Sequence, residues 1–125
     1  MVHIMLVEDD EATLYVTSGL LENAGHVVEG FANADTAYAA LAEASPRPDV
    51  LVLDYHFPAG QPDGAAIAAR ARDLYRDTRI IFITGDPMAL VSLGRTYLVL
   101  PKPVNPGRLL AAIRAAPTGI GAPAP

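Results

Sequence analysis

Two runs of the chain, Val50-Leu51-Val52-Leu53 and Ile80-Ile81-Phe82-Ile83, contain no polar residue. Runs this short and this rich in branched side chains read as strands. Strands apolar on both faces belong in the middle of a parallel sheet covered on both sides. Each run stops at a polar residue, Asp54 and Thr84. Three further runs, His3–Val7, Val27–Phe31 and residues 97–100, fit the same reading. Helical patterns fall between them. Leu14, Val16, Leu20 and Leu21 suit a helix over 14–21 that Gly25 closes. Asn33 caps an Ala-rich helix over 34–44, which Ser45-Pro46-Arg47-Pro48 breaks. A helix over 65–75 and a short helical piece over 88–93 follow. Asn105, with Pro106 at the first helical position, opens the last helix over 107–116.

Strands alternating with helices in this way predict an α/β fold. The expected architecture is a doubly wound, five-stranded parallel sheet in the order 2-1-3-4-5, with right-handed crossovers and helices on both faces. The 125 residues suffice for one domain, placed here at 1–116, that buries roughly two-thirds of its unfolded surface. Residues 117–125, rich in Pro, Gly and Ala, have almost nothing to bury and are expected to form a flexible tail.

Composition removes several classes of function. The chain has no cysteine, which excludes disulfide scaffolds, thiolate metal sites and cysteine nucleophiles. Nine Lys+Arg against 14 Asp+Glu give a net charge of −5, a poor basis for binding nucleic acid. No apolar run approaches the ~20 residues of a membrane span, and Met1-Val2-His3 lacks the charged start of a secretion signal. A cytoplasmic domain without membrane contact is the expectation. Met1 and the Pro/Ala tail are read as the ends of a complete chain.

In a sheet of this order, ligands sit beyond the carboxyl ends of the strands at the switch point between strands one and three. The first strand ends in Glu8, Asp9 and Asp10, the third in Asp54, the fourth in Thr84, and the fifth leads to Lys102. Glu8, Asp9 and Asp54 therefore converge, and three carboxylates together cost stability unless a cation neutralises them. Carboxylate oxygens with no His or Cys in the set favour Mg²⁺, or Mn²⁺, with several waters retained. A lysine and a threonine hydroxyl on the other side suit a phosphoryl group. Together they describe a carboxylate nucleophile that accepts phosphate. Asp10 is read as a helix cap, and His3 and His26 as structural.

These residues, in this order, resemble the receiver domain of bacterial two-component response regulators. The resemblance rests on Ile4-Met5-Leu6-Val7-Glu8-Asp9-Asp10, Leu51-Val52-Leu53-Asp54 with Pro58 four residues on, Ile83-Thr84-Gly85, and Lys102-Pro103. It covers residues 3 to about 116 and implies the flavodoxin-like, CheY-like fold. It also implies Asp54 as phosphoacceptor, taking its phosphoryl group from a histidine kinase or a histidine phosphotransfer protein. Glu8, Asp9 and Asp54, with the His56 backbone carbonyl, are the implied Mg²⁺ ligands. Thr84 is the implied switch hydroxyl and Lys102 the phosphoryl-pairing lysine. His56 and Asp86 stand where the family tunes dephosphorylation, and the prolines around Lys102 suggest a cis bond at Lys102-Pro103.

The sequence also departs from the family pattern. The loop from Pro58 to Gly64 is two residues longer, most simply by Gln61-Pro62. Only 18 positions separate Thr84 from Lys102, so the fourth helix is expected to be cut short. Val99 stands where receivers carry an aromatic residue, with Tyr97 two residues further back. The expected activity is that of a stand-alone receiver, signalling to an unknown downstream protein by contact or phosphorelay. It is not an enzyme in the ordinary sense. A degenerate receiver that docks without phosphate is the alternative, against which the complete Glu8, Asp9, Asp54, Thr84 and Lys102 set argues. A phosphohydrolase is disfavoured because Tyr55-His56 follows Asp54 where a second acid would be needed.

Overall fold

The computed structural model describes residues 2–44 and 46–115. Five strands, β1 (His3–Val7), β2 (Val27–Phe31), β3 (Val50–Asp54), β4 (Arg79–Thr84) and β5 (Leu98–Pro101), form one parallel sheet in the order β2-β1-β3-β4-β5. The α/β architecture and strand order expected from the apolar runs are both found. Register places Val7 beside Leu53, Asp54 beside Ile83, and Thr84 beside Pro101. The polar strand ends are thereby brought to one edge.

Side-chain alternation splits the core into two layers. On one face Met5, Val7, Leu51, Leu53, Ile80 and Phe82 pack against Ala34, Ala37 and Leu41 of α2 (Ala34–Leu41) and Ile67, Ala68 and Ala71 of α3 (Gly64–Leu74). On the other, Ile4, Leu6, Val50, Val52, Ile81 and Ile83 meet Leu21 of α1 (Glu11–Asn23) and Leu109 and Ile113 of α5 (Pro106–Arg114). The fourth helix, α4 (Pro87–Leu93), has seven residues, as the short Thr84-to-Lys102 spacing requires.

Among the described residues, each of the five helices opens on an Asp or Asn whose side chain accepts a backbone N–H of its first turn: Asp10, Asn33, Asp63, Asp86 and Asn105. Each such cap is worth about 1 kcal/mol. All five lie at the end of the sheet that carries the acidic residues.

Boundaries differ from the sequence reading where the first or last turn is polar or tightened. Helix α1 begins at Glu11 and not at 14, because Asp10 caps it and Glu11 suits the positive end of the helix. Val16, counted among its apolar positions, faces outward and is 69% exposed. Helix α2 stops at Leu41, and Ala42 and Glu43 continue it only through tighter bonds to Ala39 and Ala40. Helix α3 starts one residue early, on the Asp63 cap, and Tyr75 leaves it in an extended conformation. Strand β5 begins at Leu98, so Tyr97 precedes it. Helix α5 includes Pro106 and ends at Arg114. The tail assigned to 117–125, and the expected helix end at 116, lie outside the described residues. Among the described residues no helix is long and apolar enough to cross a membrane.

Candidate functional site

The acidic cluster forms where β1 and β3 end side by side. One carboxylate oxygen from each of Glu8, Asp9 and Asp54 lies within 4.8 Å of the others. Glu8 is the most enclosed, with a side chain 7% exposed. Its Oε2 accepts the Asp10 N–H at 3.1 Å, which orients it inward while Asp10 turns its own carboxylate to cap α1. Asp54 is held by its own loop: Oδ1 accepts the Tyr55 N–H at 2.7 Å, and the His56 N–H stands 3.4 Å away.

Lys102 closes the cluster. Its ammonium donates to Asp54 Oδ2 at 2.7 Å and to Glu8 Oε1 at 3.1 Å. Its backbone N–H donates to the Thr84 carbonyl at 3.0 Å, and the Lys102-Pro103 bond is cis. The lysine thus neutralises the carboxylates in this state, a role beyond the phosphoryl pairing expected of it. Partial burial alone would lower its pKa, but the bonds to Asp54 and Glu8 outweigh that and hold it above the ordinary lysine value. Burial pushes the Glu8 carboxyl upward, and the bonds from Asp10 and Lys102 only partly offset this. The two directions are compatible, since Lys102 faces two anions and is one-third exposed while Glu8 is almost enclosed.

The Glu8 shift has a measurable consequence in metal-free protein. Between the ordinary value of 4.5 and the raised folded value, the unfolded chain has released a proton that the folded chain retains. Stability therefore falls as pH rises through that window. With EDTA present, Glu8→Gln is expected to melt higher than wild type at neutral pH. The gap should close as pH falls below 4.5, where Glu8 is neutral in both states. A gap that stays constant with pH would contradict the raised pKa.

Thr84 ends β4 and is 1% exposed. Its Oγ1 accepts the Asp86 N–H at 3.2 Å, a turn role that leaves the hydroxyl proton for another acceptor. A groove of about 680 Å³ opens from Asp54 and Lys102 between Thr13 and Val16 of α1 and Pro103 and Val104 beyond β5.

Several residues of the site were not legible beforehand. His56 exposes its ring, and its Nε2 meets Asp86 Oδ2 at 2.7 Å and joins the loops after β3 and β4. The His56 bond, with a lesser one from Met88, lowers the Asp86 pKa. Gln61, in the two-residue extension, accepts the Ala34 N–H at 2.8 Å and ties the loop after Asp54 to the start of α2. Gly64 donates its N–H to the Tyr55 carbonyl at 2.8 Å. The His56–Asp86 and Gln61–Ala34 pairings join segments 30 and 27 residues apart, and although the resemblance marked the positions of His56 and Asp86, nothing in the local sequence marked their contact. Tyr97 lies edge-on to Phe82 with ring centroids 5.1 Å apart, and the Arg72 guanidinium covers it at 5.7 Å.

A family model described as "Response regulator receiver domain" matches residues 4–114. The response regulator receiver protein CpdR of Brucella abortus (strain 2308) is 36% identical over 112 aligned residues, which cover 84% of this chain and 88% of that protein. Among solved structures, the signal receiver domain of an HD domain-containing protein from Pseudomonas fluorescens Pf-5 superposes with a TM-score of 0.77. It is 30% identical, with 91% of this chain and 92% of that one covered. A CheY-like receiver domain protein from Methanospirillum hungatei JF-1 gives a TM-score of 0.79 at 29% identity, with 91% of each chain covered.

Proposed function

The chain belongs to the response regulator receiver domain family of two-component systems, and from that premise we propose that it is a cytoplasmic phosphoacceptor signalling through Asp54. Receiver domains are signalling modules and not enzymes in the ordinary sense. The observation that carries the proposal is the Lys102 ammonium bonded to both Asp54 and Glu8 beside Asp9. A docking module with no use for phosphate would not need to hold these carboxylates together.

The donor is a phosphohistidine of a kinase or phosphotransfer protein, and the groove beside Asp54 gives its imidazole access. An Asp54 carboxylate oxygen attacks phosphorus, the P–N bond breaks, and the electron pair leaves with the imidazole nitrogen, which is protonated on departure. Lys102 is already at Asp54 Oδ2, so its ammonium faces the phosphoryl oxygens as they arrive. The Thr84 hydroxyl donates to one of them.

Glu8, Asp9 and Asp54 fit a hard divalent cation, because all three donors are carboxylate oxygens within one ion's reach. With the His56 carbonyl as a further ligand, they would hold Mg²⁺, which supplies charge neutralisation for the phosphoryl group. Wild-type protein incubated with acetyl phosphate and Mg²⁺ is expected to gain the mass of one phosphoryl group. EDTA should abolish the gain. Equal gain with and without EDTA would contradict the metal requirement.

A further inference from the structure

Two connections lead away from Asp54, and both end on Asp86. One runs through the backbone of Tyr55 and His56, whose N–H groups face Asp54 Oδ1, and across the His56 ring to Asp86 Oδ2. The other runs through Lys102, whose ammonium donates to Asp54 Oδ2 and whose backbone N–H donates to the Thr84 carbonyl, and on to the Thr84 hydroxyl, which accepts the Asp86 N–H. The second carboxylate oxygen of Asp86, Oδ1, accepts the Met88 N–H at 2.9 Å and is the N-cap of α4. Because the cap already fixes the Asp86 carboxylate, pairing with His56 orders only the histidine side chain.

An aromatic route is poorly placed in this chain. Thr84 is in register with Pro101 and Phe82 with Val99. Tyr97 precedes β5 and stands four residues before Pro101, the residue level with Thr84. Its ring is wedged between Phe82 and Arg72. Helix α4, by contrast, is short and presents Met88 and Val91 to solvent, so its first turn depends heavily on its cap.

We propose that the His56–Asp86 contact is a latch that transmits the state of Asp54 to α4, in place of a threonine–aromatic path. It rests on Asp54 being the phosphoacceptor. A phosphoryl group on Asp54 draws the Thr84 hydroxyl and the 55–56 backbone toward itself. Both movements bear on Asp86, which shifts the first turn of α4 and the exposed face that Met88 and Val91 form.

Amide spectra of the full chain, recorded with Mg²⁺ before and after adding beryllofluoride as the phosphoryl mimic, test this. The displacement of the Met88–Leu93 amides is scaled to that of the Lys102 amide, so that each variant reports its response per loaded molecule. Wild type is expected to respond across α4. His56→Ala should cut the scaled response at least two-fold, as should Asp86→Ser, which keeps a capping oxygen but is too short to reach His56. The double variant should lose no more than either single one. His56→Gln, which keeps a donor in reach of Asp86, should restore most of the response, and Tyr97→Leu should leave it intact. Three outcomes overturn the latch: loading of wild type without a response in α4, an undiminished response in both single variants, or its loss in Tyr97→Leu. Wild type that shows no loading at Asp54, Thr84 and Lys102 contradicts the phosphoacceptor reading itself, which is a different result.

Discussion

Asp54→Asn is expected to reduce phosphorylation by acetyl phosphate and Mg²⁺ to below detection while leaving the fold intact. The amide oxygen lacks the negative charge and the nucleophilicity needed to attack phosphorus, and no neighbouring group can supply them. Of the other two carboxylates, Glu8 is enclosed and bonded to Asp10 and Lys102, and Asp9 is the exposed member of the cluster. The structural cost is small, because an asparagine oxygen can still accept the Tyr55 N–H or the Lys102 ammonium, though not both as Asp54 does. Intact mass and a thermal melt check the two halves of this prediction. Carboxylate repulsion alone would let the substitution stabilise the metal-free protein by about 1 kcal/mol. Since Lys102 already pairs with Asp54, that gain is expected at Asp9→Asn and not at Asp54→Asn. Melts in EDTA with the midpoint rising in both variants would show that Lys102 does not neutralise the cluster in solution.

Gly64→Ala is expected to be the most damaging single-atom change to the scaffold of the site. A Cβ at this position would lie 2.3 Å from the Asp54 carbonyl oxygen, 2.7 Å from the Tyr55 Cα and 2.9 Å from Phe82 Cε1. The first two are backbone atoms at the end of a central strand and cannot yield as a side chain tip can. Helix α3 must therefore back away from β3, which breaks the Gly64 N–H bond to the Tyr55 carbonyl. It also loosens the turn that presents Asp54. Overpacking of a tight contact costs about 1–3 kcal/mol, and a clash with backbone belongs at the upper end. Urea denaturation should show that loss, and the phosphorylation rate should fall together with it. Gly25→Ala is the comparison: the glycine has φ +97° but nothing within 4 Å of the added atom, so only backbone strain applies. Equal stability of Gly64→Ala and wild type would mean that α3 does not approach Asp54 this closely.

The sheet was legible because a strand buried on both faces has few ways to be written. Val50–Leu53 and Ile80–Ile83 admit no polar residue, and their polar ends then fall at the switch point. Caps were legible where Asp or Asn preceded an apolar helix, as at Asn33 and Asn105. Asp10 was legible as a cap as well; the caps that stayed hidden are Asp63 and Asp86, which sit in loops dense in Gly and Pro. Within the site, strand ends announced Glu8, Asp9, Asp54 and Thr84. The bridging by Lys102 was not announced, because a side-chain ammonium can face any anion within its reach and only the packed register selects two of them. The His56–Asp86 and Gln61–Ala34 contacts were hidden for a related reason. Each joins two loops whose approach is set by how α3 and α2 dock on the sheet, and local sequence carries no record of that docking.

The most direct measurement locates the phosphoryl group. Borohydride reduces an aspartyl phosphate to homoserine, and peptide mass spectrometry then reads which residue carried it. Protein phosphorylated with acetyl phosphate and Mg²⁺ and then reduced is expected to contain homoserine at position 54 and nowhere else. Homoserine at another carboxylate such as Asp9, or none anywhere in the chain, would contradict the assignment of Asp54 as the phosphoacceptor.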